Sequence, residues 1–402
     1  MDSPEITERF LWDFRRTLSD CIADHYYGRL RELSREHGMG IHPESGGPCT
    51  PVKACIDAVQ ILGKSDIPMG EFWARKTEPA GPIAWADWSI KQAASAAHVY
   101  GKRLVQAEAF TTMGPNWEKY PFVLKDIGDH AFCCGVNRAM LCFYVHQPYL
   151  DRLPGYQWEA AGTHFDRNIT WWPMAHAWLT YLARCQFLLQ QGLFVADACY
   201  FYGEGAPSFV PARGRMTPPL PPGYDYDVCN AEVLLTRMAV RDGRLVLPDG
   251  MSYRLLVLPQ RRDMSPVVIR KLADLVVAGA TVVGPRPARA SGLADYPQCD
   301  EAVRKLADRL WGDCDGKAVR EHKIGKGRIV WGKALGDVLL ADGLAPDFGY
   351  RGAQQGARID HIHRRVGEAE VYFVANLANR GEKAECLFRV LMRRPAAKES
   401  KE

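Results

Sequence analysis

Between residues 38 and 202 apolar stripes of helical period alternate with short apolar runs, and the changeovers fall on glycine or on capping residues. This alternation constrains the fold more than any other feature, because strand and helix in succession specify a parallel sheet with crossover helices. Thr50–Leu62 carries the clearest helical pattern. Thr50 supplies a cap, Pro51 sits where a missing N–H is harmless, Val52, Ile56, Val59 and Leu62 share one stripe, and Gly63 can end it. Ala86–Tyr100, rich in alanine, stops at Gly101; a further helix is expected to stop before Gly128, and Trp171–Gln191 before Gly192. Strands are predicted at 39–44, 67–72, 103–110, 139–146 and 193–202. Five strands do not close an eight-stranded barrel. The expected fold for 1–203 is therefore α/β, the C-terminal part of a (β/α)8-type barrel with about five βα units, or else an open sheet.

Six prolines between Gly203 and Tyr226 mark residues 204–226 as a linker. Beyond it the strand Tyr253–Pro259, the helix Pro266–Ala278 and the strand Ala280–Gly284 repeat the βα order, so 227–347 is expected to be a doubly wound, flavodoxin- or amidotransferase-like domain. An amidotransferase needs a nucleophilic cysteine on a tight turn after a strand, and neither Cys229, Cys299 nor Cys314 has that setting. No catalytic role is expected there; oligomer contacts are the use such a domain would have. From Ile359 the runs His361–Arg365, Glu370–Ala375 and Ala384–Val390 alternate with polar turns, which predicts the start of a β-sandwich over 348–402, ending in a polar tail.

The 51 basic and 47 acidic residues are interspersed, so the concentrated basic face of a nucleic-acid binder is not expected. The twelve cysteines are scattered without a CxxC pair and read as reduced core residues. No apolar run reaches the roughly 18 residues of a membrane span, and Met1–Phe10 lacks the pattern of a signal peptide.

The placement of carboxylates points to chemistry. Glu44, Glu71 and Glu108 fall at the ends of three consecutive predicted strands, where βα barrels assemble their active sites. One such acid is ordinarily a solvated loop residue; three together favour a site. Phe72, Trp73, Phe110, Trp117, Trp171 and Trp172 could keep a carboxyl neutral and stack on sugar faces, although aromatics at such positions are often plain core, as expected for Trp178 and Phe187. His42, His146 and His164 lie at strand ends or in the next loop, with Arg167 close by in sequence, and could bond hydroxyls; His146, directly after Phe143-Tyr144-Val145, is the strongest. No HExxH zinc pattern is present, and His361 and His363 read as structural.

The stretches His42–Pro48, Asp66–Trp73, Ala97–Thr111, His146-Gln147-Pro148, Gly162–Trp172 and Tyr181-Leu182-Ala183-Arg184 resemble glycoside hydrolase family 106, the α-L-rhamnosidases, over most of residues 10–375. The resemblance implies a hydrolase that releases terminal α-L-rhamnose from polysaccharides or glycosides by inversion, with a glutamate pair and a calcium ion, on a (β/α)8 barrel with β-rich appendages. Set against that plan, the chain begins about three strands into the barrel and ends within a sandwich. Glu44 and Glu108 are the expected proton-handling pair: Glu108, between two alanines and Phe110, is the acid, and Glu44, beside Ser45 and two glycines, is the base. Glu71 is the expected calcium or hydroxyl ligand, and His42, Trp73, His146, His164, Arg167 and Trp171 the expected sugar contacts. A non-catalytic carbohydrate-binding fragment is the competing reading; neither involves a nucleic acid or a membrane.

Overall fold

A computed structural model describes residues 3–47, 54–74, 87–112, 117–158, 162–352 and 354–390. Ser3 caps the first helix, Pro4–Cys21, which continues through a π-helical stretch, Ile22–Gly28, into Arg29–Glu36. The strand expected at 39–44 does not form. The Asp66 carboxylate accepts the Ile41 N–H, and the Ile41 carbonyl accepts the N–H groups of Asp66 and Ile67, so a side chain takes the place of a ladder. The helix expected from Thr50 starts at Ala58. Asp57 caps it, accepting the Gln60 N–H at 2.9 Å, while Ile56 is held out of the helix by pairing with Ser208. Thr50, Pro51 and Val52 lie outside the described residues.

Three strands, β1 (Met69–Trp73), β2 (Gln106–Thr111) and β3 (Arg138–Leu141), form one parallel sheet in that order. The helix Asp87–Val99 joins β1 to β2, and Pro121–Cys133 joins β2 to β3. The second of these helices runs through Gly128 because the Phe110 ring lies against it, where an added Cβ would come within 3.1 Å.

The expected fifth strand, 193–202, divides. Leu193–Phe194 extends the antiparallel pair Ile359–Val366 and Ala369–Asn376, whereas Ala198–Phe201 enters a different, six-stranded sheet. Asp197 marks the division: its N–H bonds the Asp225 carbonyl, its own carbonyl accepts from Arg254 and Leu255, and its carboxylate holds Arg389 at 2.8 Å. The sheet that carries the glutamates thus has three strands among the described residues, not five.

The six-stranded sheet runs Glu321–Ile324, Gly327–Val330, Thr281–Val283, Leu255–Val257, Ala198–Phe201, Tyr226–Cys229, parallel except at its first edge. The strand order reverses beside Ala198–Phe201, as in doubly wound folds. Its helix Pro266–Ala278 has the predicted bounds because Ser265 caps it, proline takes the first turn, and Val268, Ile269, Leu272, Leu275 and Val276 bury one face. Each such side chain contributes about 1.5–3 kcal/mol on leaving water. Residues 204–226 are packed: Glu204 accepts both the N–H and the hydroxyl of Ser265, and Arg213 pairs with Asp360. One buried cluster runs from Phe72 and Phe110 through Trp178 to Tyr200 and Leu256, so both sheets share a core. The eleven cysteines of the described residues are free thiols.

Candidate active site

Register brings two of the three glutamates side by side. Glu71 and Glu108 are direct partners on neighbouring parallel strands, which places their backbones about 4.8 Å apart. Both sit two register pairs below the strand ends, since β1 runs to Trp73 and β2 to Thr111. The alternate residues Gly70, Phe72, Ala107 and Ala109 face the helices. At Gly70 an added Cβ would meet the Ser89 carbonyl at 2.7 Å, so glycine there seats the helix against the strand and makes no approach to a ligand.

A bulge then re-aims the end of β2. Phe72 pairs with Ala109 but Trp73 pairs with Thr111, so Phe110 is the extra residue, at φ +66°. The side chain of Phe110 turns into the core against Phe72, at a ring separation of 5.0 Å, and Thr111 returns to the glutamate face. Its hydroxyl donates to Glu108 at 2.5 Å. Without the bulge the two residues would exchange faces.

Glu44 reaches the same face from the irregular segment 41–47. Ser89 anchors that segment, donating to the Gly47 carbonyl at 3.1 Å while accepting the Glu71 N–H at 3.2 Å. Burial, then the charges of Glu108 and Glu71, push the Glu44 carboxyl up to about 8. Burial and Glu108 push Glu71 up to about 7, against a lowering by the Trp73 indole. The three acids therefore form one electrostatically coupled group. One oxygen of Glu44 is buried without a hydrogen-bond partner. The glycines after it do not donate to the carboxylate; Gly47 N–H bonds the Glu44 backbone carbonyl instead.

Of the expected sugar contacts, His42 lies one layer below the glutamates, its Nδ1 at 3.0 Å from Gln106 and 3.5 Å from the Met69 sulfur. Trp73 lies one layer above Glu71. His164 is fully buried between Trp117, stacked at 4.6 Å, and Phe143, and neither ring nitrogen has a partner. Burial lowers its pKa and so favours the neutral ring. Backbone bonds of Thr163 and Phe143 tie that segment to the end of β3.

Three expected contacts are placed elsewhere. His146 is exposed on the segment after β3. Arg167 is also exposed and donates to the Gln147 and Tyr149 carbonyls, so it ties down a loop. Trp171 is buried with its indole N–H on the Lys119 carbonyl at 3.0 Å, which makes it core. Two residues the sequence reading passed over join the site: Thr111, and Cys142, whose thiol is pushed up to about 12 by burial, and further by Glu108. Cys142 was legible as the residue two beyond Met140, the partner of Glu108. Thr111 was not, because the bulge alone turns it.

Coupled carboxylates on one face of a parallel sheet, layered with indole and imidazole, define the kind of site in which glycoside hydrolases work. The sequence profile of glycoside hydrolase family 106, described as alpha-L-rhamnosidase, matches residues 1–402, and the chain belongs to that family. A protein of Formosa agariphila named "Putative beta-glucuronidase" is 36% identical over 398 residues, 98% of this chain and 31% of its own length. The solved rhamnosidase of Novosphingobium sp. PP1Y is 34% identical, with a TM-score of 0.87 over 96% of this chain and 36% of that one. The exo-carrageenase GH42 of Bacteroides ovatus, at 11% identity and a TM-score of 0.54, covering 94% of this chain and 51% of its own, shares the fold. The chain spans about a third of the length of the two relatives that share its sequence.

Proposed function

We propose that this chain supplies the acid and base of an α-L-rhamnosidase that releases terminal α-L-rhamnose with inversion. The observation that carries the reading is the coupled trio Glu44, Glu71 and Glu108 on one sheet face, in a chain of the rhamnosidase family. Hydrolysis needs one carboxyl that holds a proton at working pH and one that stays ionised. The environments support the roles in the reverse order of the sequence expectation. Glu44, half-buried and facing two other acids, keeps its proton and is the general acid. Glu108, which accepts the Thr111 hydroxyl, is the base. Ala107 and Ala109 do not enclose the Glu108 carboxyl, because alternate strand residues point to opposite faces.

The family's calcium ion would need about six to eight oxygens. Among the described residues no three acidic, histidine or cysteine side chains converge on a metal position, so this set does not complete a shell. Glu71 is our proposed single contribution to it. Trp73 and His42 would meet the sugar, whereas His164, fully buried, would act only by packing behind the site. Glucuronide cleavage is the rival activity suggested by the relative's name. Hydrolysis of nitrophenyl α-L-rhamnoside by the full-length protein, with the first-formed anomer read by NMR, tests the proposal. Initial release of β-L-rhamnose is expected; release of the α anomer, or cleavage of the glucuronide alone, would overturn it.

A further inference from the structure

The segment 144–158, which leaves the end of β3, is held from within by a buried glutamine while its large apolar side chains face outward. We propose that it is a fixed aromatic platform that holds a neutral polysaccharide substrate beside the glutamate site. The inference rests on the catalytic reading and deepens it, since it names a polymer, and not a small glycoside, as the substrate.

The first observation is rigidity without regular secondary structure. Gln147, 5% exposed, accepts the Tyr156 N–H at 2.8 Å through its side-chain oxygen and donates to the Tyr156 carbonyl at 2.7 Å, as a strand neighbour would. It also donates to Asp166 at 3.3 Å. Asn168 donates to the Pro154 carbonyl at 3.1 Å, and Arg167 to the Gln147 and Tyr149 carbonyls. Gly155 is at φ +83°, where an added Cβ would overlap the Gln147 oxygen, so a side chain there would displace the glutamine. A segment pinned in this way loses little conformational freedom on binding.

The second observation is what the pinned segment displays. Tyr144, Tyr149, Leu150, Leu153, Tyr156 and Trp158 are all exposed, Trp158 by 62%. Large apolar side chains grouped on one surface mark a contact site. Tyrosine and tryptophan offer a flat apolar face with a polar handle, and a pyranose offers a C–H face with hydroxyls at its edge. Tyr149 and Tyr156 stand 6.3 Å apart with their rings inclined at 45°, and with Leu153 and Pro154 they line a hollow of about 210 Å³. That is less than the roughly 300 Å³ at which pockets for whole ligands begin, so it takes one unit of a longer chain. The third is charge. The segment carries one carboxylate, Asp151, and one guanidinium, Arg152, which lies over the Tyr149 ring at 4.8 Å. This balance suits a neutral chain.

The fourth observation is continuity with the site. Trp158 meets Phe143 edge-on at 5.7 Å, and Phe143 follows Cys142, the neighbour of Thr111 and Glu108. Trp117, His164, Phe143 and Trp158 thus make an unbroken row of rings. β3 is the edge strand away from β1, against which Ser89 anchors the segment that carries Glu44. The platform therefore holds units of the polymer other than the one that leaves through the scissile oxygen, and it governs retention of the chain, not the chemical step.

The test sets a polymer against a small substrate in the full-length protein. Trp158→Ala, and separately Tyr149→Ala with Tyr156→Ala, are compared with the wild type on a neutral rhamnan and on nitrophenyl α-L-rhamnoside. Each should raise KM on the rhamnan by about fivefold or more, the order of a lost ring contact. Each should leave kcat on both substrates, and KM on the nitrophenyl rhamnoside, unchanged. The three rings are exposed, so the fold survives their loss, and the small-substrate kinetics verify it. An unchanged KM on the rhamnan, equal losses on both substrates, or a wild type that cleaves the nitrophenyl rhamnoside but not the rhamnan would overturn this proposal alone. So would a wild-type dimer, read by sedimentation, that the double variant splits without a change in rhamnan KM, since the face would then belong to a second copy. A wild type that cleaves neither substrate would strike the catalytic reading, and this one with it.

Discussion

Two parallel sheets in this chain present the C-terminal ends of their strands in opposite chemical conditions. In the three-stranded sheet a Glu44 oxygen is buried and unbonded, and Glu44 and Glu71 both resist ionisation. In the six-stranded sheet the strand-end groups are committed. Tyr202 donates to Asp57, Asn230 caps its own helix at Val233, and Glu204 takes both donors of Ser265. The crevice beside its point of strand reversal, where doubly wound folds bind ligands, is shut to about 10 Å³. Trp12 fills it, and Arg9 beside it donates to the Ala290 carbonyl and pairs with Asp300 at 2.7 Å. Position in the fold is the same; unspent bonding capacity separates a site from a joint.

The largest effect should come from removing that capacity. In the full-length enzyme, Glu44→Gln and Glu108→Gln should each lower kcat on a rhamnoside with a poor leaving group by about 10²–10⁴-fold. Cys229→Ser and Cys314→Ser, in the other sheet's domain, should leave kcat at the wild-type level. Steady-state kinetics decide it. A wild-type rate in either glutamate variant removes that residue from the pair, and equal losses in both regions would erase the contrast.

Next in size is the seam between the sheets. Asp57 is fully buried, accepts from Tyr202 and Gln60, and pairs with Arg16 at 3.4 Å. Burial raises its pKa despite these donors. Asp57→Ala should cost about 3 kcal/mol in urea unfolding, since it strands partners of a buried charge. Loss of the exposed Arg237–Asp249 pair through Asp249→Ala should cost about 1 kcal/mol or less. The shared core predicts one transition for both sheets; two transitions would show that they are stable separately.

Much of this arrangement was legible in the sequence. Pro266–Ala278 carries its cap, its proline and its stripe in the chain itself, and Glu71 and Glu108 were visible as acids late in strands. What was not legible depends on distant partners. The strand at 193–202 divides because Asp197 meets Arg389 and Asp225. Trp171 becomes core because the Lys119 carbonyl awaits its indole. A phenylalanine at positive φ has no local signature, so the bulge that brings Thr111 to Glu108 could not be foreseen. Glu44 was judged by its sequence neighbours, whereas its pKa is raised first by burial in the fold and then by the charges of Glu108 and Glu71 across the sheet.

A smaller effect concerns calcium. If Glu71 contributes a ligand, Glu71→Ala in the full-length protein should weaken calcium binding by at least about tenfold, since losing a direct carboxylate oxygen costs no less than losing a partner that only orients a ligand. Calorimetric titration measures it, and unchanged affinity would remove Glu71 from the shell.

The smallest expected effect is on stability against pH, and it follows from the direction of the two shifts. Glu44 and Glu71 have folded-state values near 8 and 7, above the ordinary glutamate value of 4.5. Between those limits the folded chain holds protons that the unfolded chain has released, so stability falls as pH rises. The contribution is fully present below about 4.5 and is lost as pH passes through 7 and 8. Glu204, Asp57 and Asp197 are also raised, Asp197 to about 6, so the part of the slope that belongs to Glu44 is read from the difference between the variant and the wild type. Glu44→Gln removes the larger of the two shifts and leaves a neutral side chain of the same shape. Its Tm should therefore fall less than that of the wild type between pH 5.5 and pH 9, by about 2–4 °C. Equal Tm profiles for the two proteins would mean that Glu44 is ionised in the folded state, and would return the role of acid to Glu108.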